Sequence, residues 1–402
     1  MVDLKPELVA TRRRASLRSW GKIMDESGWI GAAERWRATC RVTPAVAVDV
    51  AAANANVGEV ARYIAMCGGE WRAHVKTVRT AWGVRMLLSH GVRAVKASTI
   101  GEAYAAASAG CSDVLLAYPA LEPKLAALGR LAERFPAVRF SALIDTHEAI
   151  SAWPATSGVA AMIDLDTGMR RTGIEVADTG AVIDLARGLA ESGVELAGLH
   201  SYDGHLAAVP VGQRLAEVRA ATHLVNQCAT ALTDAGARVP EIVAGATHTL
   251  EEHLAVLGEP GEDGASEARR TFGPGTLALL DGRSRQRLSD DGSVLKVVPA
   301  AMVFARVVSR NGSRVTLDAG ATAIQADAGK PHARVLGASA AATVRGLSQE
   351  HLVIEEPSVA WRVGDVVPVL PWHIDTALSQ FREIVLLGDG EVGLSEPVVG
   401  RH

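Results

Sequence analysis

Residues 93–119 read "RAVKASTIGEAYAAASAGCSDVLLAYP", and this stretch decides the fold. An apolar run (93–98) gives way to an alanine-rich segment of helical character, and a second apolar run follows (113–119). Apolar runs separated by a helix predict strands of a parallel sheet that is covered on both faces. The same texture continues outward in both directions. Strand candidates stand at 74–78, 93–98, 113–119, 138–145, 160–166, 195–202, 241–247 and 276–281, with Ala-, Leu- and Arg-rich helical segments between most of them. Eight such units predict an α/β fold, a (β/α)8 TIM-type barrel rather than an open doubly wound sheet.

After Asp281 the chain breaks into short β-rich runs punctuated by Asn-Gly and Gly-Asp-Gly, which predicts a second, all-β domain. The expected organisation is an N-terminal helical arm over 1–42, the barrel over 43–281 and a β-rich domain over 282–402. The strand-like stretch 43–50 fits either of the last two. The basic run "TRRRASLR" (11–18) is expected to be a solvated face. The acidic, glycine-rich segment 258–270 is expected to be a surface insertion, or else a mobile loop near the active face of the barrel.

Composition narrows the function classes. The chain has 402 residues, 48% of them hydrophobic and 21% charged, with a formal net charge of −4, which describes an ordinary soluble protein. No apolar stretch reaches membrane-span length and no signal-peptide core opens the chain. Cys40, Cys67, Cys111 and Cys228 are scattered without CxxC spacing, so reduced thiols in a cytoplasmic protein are expected. Mild acidity and the lack of a basic stripe argue against nucleic acid as a partner.

Barrels carry their chemistry at the C-terminal ends of the strands. Lys76, Tyr118, Asp166 and His200 fall there, as do Tyr202, His205, Thr247 and the turn 274–276. Lys76 asks the sharpest question, because an unpaired ammonium inside a strand is costly. It either points to solvent at the strand end or is not an ammonium. "GATHT" (245–249) and "GPGT" (273–276) stand where barrels bind phosphate through backbone N–H groups. In "LPWHIDTALSQF" (370–381), a strand would put His373 and Asp375 on one face, an arrangement that suits a divalent metal. The same spacing also suits a surface His–Asp hydrogen bond.

Taken in order, "HVKT" (74–77), "KASTIGEAYAAASAGCSDVLLAYP" (96–119), "DLDTGMRRTG" (164–173) and "GLHSYDGH" (198–205) closely resemble the D-threonine aldolase and D-serine dehydratase family. The resemblance continues through "VAGATHT" (243–249), "FGPGTLALLD" (272–281), "LDAGATAIQAD" (317–327) and "LSQEH" (347–351) to the HxD, so it spans the chain from Thr43 onward. These are pyridoxal-phosphate enzymes with the alanine-racemase-type barrel. The resemblance implies that Lys76 forms an imine with pyridoxal phosphate. His74 and Arg171 would line that cofactor, and Tyr202, Gly245, Thr247, Gly275 and Thr276 would hold its ring or phosphate. His373 and Asp375 would bind a divalent metal. A carboxylate at 375, where the dehydratases carry cysteine, implies manganese or magnesium over a zinc–thiolate site and an aldolase acting on a small-molecule D-β-hydroxy-α-amino acid. His205 or a metal-bound hydroxide would take the β-hydroxyl proton. A dehydratase is the alternative; a racemase or a non-enzymatic pyridoxal-phosphate carrier ranks lower. Related enzymes pair as homodimers. The chain departs from the family at "TALS" (376–379), where "PTVN" is usual, at Leu277 in place of tyrosine, and at Thr322 in place of lysine, which leaves the substrate side chain open.

Overall fold

The computed structural model describes residues 22–153, 158–259, 268–388 and 391–399. The basic run 11–18 and most of the acidic loop lie outside the described residues. The chain opens with α1 (Glu26–Ala38), β1 (Ala45–Asp49) and α2 (Val50–Met66), which lead to β2 (Glu70–His74). β3 (Ala94–Ala97), β4 (Asp113–Pro119), β5 (Arg139–Ile144) and β6 (Val159–Asp166) follow. A two-residue β7 (Ile174–Glu175) flanks β6, and β8 (Leu196–Ser201), β9 (Glu241–Ala244) and β10 (Arg269–Phe272) come next. Apart from β1 and β7, these strands pair in parallel, and the β10–β2 and β5–β6 pairings close them into a ring of eight. Between them run α3 (Ala81–Ser89), α4 (Ile100–Ser108), α5 (Lys124–Arg134), α6 (Thr179–Glu191), α7 (Val211–Asp234) and α8 (Leu250–Leu257). The expected (β/α)8 barrel is present.

Two strands differ from expectation. The segment 276–281 is a 3-10 turn over Thr276–Ala278, and the eighth strand is Arg269–Phe272 instead. The first strand ends at His74, so Lys76 lies in the turn that follows it. Gly275 explains the first difference. A Cβ there would sit 2.7 Å from the His74 carbonyl oxygen, so the chain turns where it crosses β2. TLALLD looks like a strand because it is buried throughout.

Side-chain caps start three of the barrel helices, α3, α4 and α6. Thr80 accepts from Gly83 N–H, Thr99 from Glu102 N–H and Asp178 from Ala181 N–H, each worth about 1 kcal/mol. Inside the ring Leu115, Leu143, Ala160, Met162, Ala197 and Val243 pack as one cluster, so the barrel is filled rather than open. At its N-terminal end the fully buried Arg72 spans Asp113 and Glu241 at 2.7–2.9 Å. Gly198 lets β8 approach β9, since a Cβ there would fall 2.1 Å from the Glu241 carbonyl oxygen.

α9 (Gly282–Asp290) leads into β11 (Ala301–Asn311), β12 (Arg314–Leu317), α10 (Ala321–Ile324), β13 (Ala333–Val335), β14 (Thr343–Leu347) and β15 (Leu352–Glu355). β16 (Val366–Pro371), α11 (Ile374–Leu378), β17 (Glu383–Gly388) and β18 (Glu391–Pro397) complete the chain. The second sheet runs β14-β15-β12-β11-β1-β17-β18, with β16 bridging β11 and β13. β1, which fitted either domain by sequence, is central here: antiparallel to β11 and parallel to β17. α1 covers one face of this sheet. Trp29 and Trp36 meet the Phe304 ring edge-on, with centroids 6.2 and 5.5 Å away. Among the described residues no helix is long and apolar enough to cross a membrane.

Candidate active site

The turn after β2 positions the first group. Lys76 N–H donates to His74 Nδ1 at 3.3 Å, and Arg79 donates to the Lys76 carbonyl at 2.7 Å. Arg79 also pairs with the fully buried Glu102, which caps Ser98 N–H. The Lys76 side chain is 35% exposed, and its Nζ stands 3.6 Å from Asp375 Oδ2. Of the two alternatives for this lysine, the strand-end position is the one observed, so its ammonium carries no burial problem.

The second sheet delivers the other side. β16 is buried along its whole length and ends at Pro371, so His373 and Asp375 do not lie on a strand. His373 caps the short α11, and Asp375 sits in its first turn. The pair still converges, with His373 Nε2 3.9 Å from Asp375 Oδ2. Each of these two side chains is held from behind. Thr77 donates to Asp375 Oδ1 at 2.7 Å, and His373 Nδ1 donates to Asp327 Oδ2 at 2.5 Å, which leaves Nε2 as an acceptor. Asp375 is 2% exposed and its Oδ2 accepts no hydrogen bond, the state of a carboxylate oxygen placed for a cation. Asp281 joins the barrel to this turn, accepting from Ile374 N–H, and burial raises its pKa. Among the described residues no cluster of three or more His, Cys, Asp or Glu could hold a metal, and His373 and Asp375 meet as a pair.

The glycine loops lie across the mouth. Among the described residues, the N–H groups of Gly245, Thr247 and Gly275 make no backbone hydrogen bond, and Thr276 opens a 3-10 turn whose first N–H lacks an internal partner. These donors fit a phosphate. The loops are pinned by Asp203, which accepts from Thr249 at 2.9 Å and from His253 Nε2 at 2.6 Å. Burial raises the Asp203 pKa, but His253 and Thr249 outweigh it and hold the carboxylate below its usual range.

Tyr202 lies between, with the Arg171 guanidinium 5.0 Å from its ring centre. His74 presents only an edge to solvent. Burial and then Lys76 hold its pKa well below the usual value, so it is neutral. His200 is buried and donates from Nδ1 to Asp164 at 2.7 Å, while its Nε2 has no partner. Burial lowers the His200 pKa against the pull of Asp164. Lys96, on β3 beside His74, is 2% exposed, and burial, then Lys76, lower its pKa to about 7.

Several expected residues therefore come together: Lys76, His74, His373 and Asp375 on one side, Tyr202 with Arg171 on another, and the loops of Gly245, Thr247, Gly275 and Thr276. His205 packs beneath Gly168, and among the described residues no hydrogen bond or ion pair ties it to Lys76, His373 or Asp375. Tyr118 points outward under the Lys124 ammonium, and Asp166 caps the backbone of Gly168 and Arg170. Thr77, Asp327, Asp281, Asp164 and Lys96 were not singled out by sequence. For Lys96 the signal was present, a lysine in an otherwise apolar strand run.

Comparison with known proteins follows the same lines. The family profile described as "Alanine racemase, N-terminal domain" matches residues 48–261, and "Putative serine dehydratase domain" matches 300–387, which includes the HxD. No curated protein matches the chain. Among solved structures, a D-threonine aldolase from Filomicrobium marinum is similar, with a TM-score of 0.75 at 22% identity over 89% of this chain and 94% of that one. D-threo-3-hydroxyaspartate dehydratase from Delftia sp. HT23 superposes with a TM-score of 0.72 at 20% identity, covering 89% and 97%. An alanine racemase from Bacillus anthracis gives 0.64 at 16% identity, covering 88% and 97%. Barrel and second sheet, in this order and with both profiles matched, place the chain in the family of the alanine racemase N-terminal barrel, with a second domain of the putative serine dehydratase type.

Proposed function

We propose that the protein is a lyase dependent on pyridoxal phosphate and a divalent metal, cleaving D-β-hydroxy-α-amino acids to glycine and an aldehyde. The observation that supports this most is the meeting of Lys76 Nζ, Asp375 Oδ2 and His373 Nε2 within 3.6–3.9 Å contacts at one barrel mouth. When bound, pyridoxal phosphate supplies an electron sink for charge developing at the substrate α-carbon. Lys76 would hold its carbonyl carbon, and the loops of Gly245, Thr247, Gly275 and Thr276 its phosphate. Tyr202, Arg171 and the neutral His74 would line it. His373 Nε2 and Asp375 Oδ2 would hold the cation, which when bound supplies a Lewis acid for a substrate hydroxyl. Loss of the β-hydroxyl proton to solvent would accompany breaking of the Cα–Cβ bond, which turns the β-carbon into an aldehyde. Lys76 Nζ, 3.6 Å from Asp375 Oδ2, would return a proton to the α-carbon. His205, packed under Gly168, is given no part.

Aspartate at 375 supports the aldolase over the dehydratase, because a hard carboxylate suits a manganese- or magnesium-type ion. The match of the HxD region to a serine dehydratase domain favours the second reading: Lys76 takes the α-proton, the β-hydroxyl leaves, and ammonia and a keto acid result. Borohydride reduction of the reconstituted protein, followed by peptide mapping, tests the cofactor assignment common to both. Label on the peptide containing Lys76 is expected. Label on another lysine, or none, contradicts it.

A further inference from the structure

Resting on the cofactor assignment above, we infer that Lys96 is a second amine of the site, donating a hydrogen bond to a heteroatom on the ring of the cofactor that Lys76 holds. Three observations lead there. Lys96 pairs in register with His74 on the neighbouring strand, so both side chains leave the sheet on the same side. Its ammonium reaches across β2 to the start of the GPGT loop, where it occupies the space a side chain at 273 would need: a Cβ on Gly273 would fall 2.1 Å from Nζ and 2.5 Å from Cε. It also stands 5.9 Å from the centre of the Tyr202 ring. The glycine thus leaves room for the amine between Tyr202 and the glycine loops, and a ring seated between Lys76 and those loops adjoins it.

A structural role does not account for this amine. Among the described residues no carboxylate stands within ion-pairing distance of Nζ, whose neighbour is the Tyr202 ring, whereas the similarly buried Arg72 is held by two carboxylates. A buried ammonium with no paired carboxylate costs stability, and a stable core alone has no use for one. The charged and titratable groups around it are Arg72 and His74 on β2, Lys76 beyond them, Asp164 on β6, His200 on β8 and Asp203 in the loop that follows. Asp164 and Asp203 are both engaged elsewhere, by His200 and Thr172 and by His253 and Thr249. A heteroatom of the ring is the partner left for Nζ.

The experiment titrates pyridoxal phosphate into the wild-type protein and into Lys76→Ala, Lys96→Met, Gly273→Ala and the Lys96→Met/Gly273→Ala double variant. The dissociation constant and the pH midpoint of the visible absorbance of the lysine-bound cofactor are read for each, with far-UV circular dichroism as the check on folding. Wild type should develop the absorbance and Lys76→Ala should not. Lys96→Met should keep the absorbance, bind the cofactor about tenfold or more weakly, as for loss of a charge-assisted bond, and show a displaced pH midpoint. Gly273→Ala pushes the amine aside without removing it and should weaken binding in the same direction. The double variant should be no weaker than Lys96→Met alone, because both act on one contact. If wild type and Lys96→Met bind equally with the same pH midpoint, or the two single effects simply add, Lys96 does not touch the ring, while the role of Lys76 stands. If wild type develops no absorbance, the cofactor assignment falls and the role of Lys96 falls with it.

Discussion

Lys96 carries its amine into the barrel with no carboxylate bonded to it, so protonating it works against the folded state. In the folded protein its pKa is about 7, whereas a free lysine titrates near 10.4. Between those values the unfolded chain binds more protons, so stability rises with pH across that window, and below it the penalty is complete. Lys96→Met should therefore raise the melting temperature of the cofactor-free protein, and by more near about pH 6 than near about pH 9. Equal gains at both would show that the amine is not buried as described. On the metal side, Asp327 is the residue that fixes the His373 ring. Asp327→Asn should lower divalent-metal affinity by about 10–100-fold in a competition titration while leaving the fold intact. Unchanged affinity would mean that His373 needs no orienting partner. At this scale the sequence reading singled out residues that belong to a recognisable motif, and Lys76, His373 and Asp375, which are of that kind, lie together at the barrel mouth. It missed Thr77, Asp327 and Asp164, because their importance lies in what they bond across the fold, between 36 and 298 residues away.

Between residues and fold lie the loops. The stretches 198–205 and 243–249 were legible as motifs, but the fastening between them was not: Asp203 locks one loop to the other through Thr249 and His253. Its carboxylate is held below the usual range. The stability it contributes is thus present above the pKa of an unfolded aspartate and is lost as pH falls through the lower folded value. Asp203→Asn removes one acceptor and leaves His253 Nε2 poorly partnered, which should cost about 1–3 kcal/mol in urea unfolding near neutral pH and weaken phosphate binding at the Gly245 loop. Loss of stability without any change in cofactor affinity would separate that fastening from the site. Strand ends were the weak point of the sequence reading at this scale. TLALLD is apolar and buried but follows Gly275, whose contact with His74 forces a turn. His373 and Asp375 lie past Pro371, where β16 has ended and α11 begins.

Across the whole molecule, barrel and second sheet are interleaved in sequence. β1 is placed between β11 and β17 before the barrel begins, and Asp49 at its end caps α2. The apolar texture of 43–50 could not reveal this, since a strand in the middle of either sheet looks alike. The eight-unit alternation did reveal the barrel, because a filled parallel ring requires it. This interleaving is what carries the His373–Asp375 turn to the barrel end where Lys76 lies, with Asp281 and Thr77 reaching across the junction. A lyase acting on a β-hydroxyl needs those two halves together. The most direct test reconstitutes the purified protein with pyridoxal phosphate and manganese and incubates it with D-threonine, D-3-hydroxyaspartate and D-phenylserine, measuring glycine, aldehyde and ammonia in the same tubes. Glycine with an equal amount of aldehyde from at least one substrate is the expected result, and it should disappear in Asp375→Asn. Ammonia and a keto acid without glycine would contradict the aldolase and assign the same Lys76–Asp375 pair to elimination of the hydroxyl.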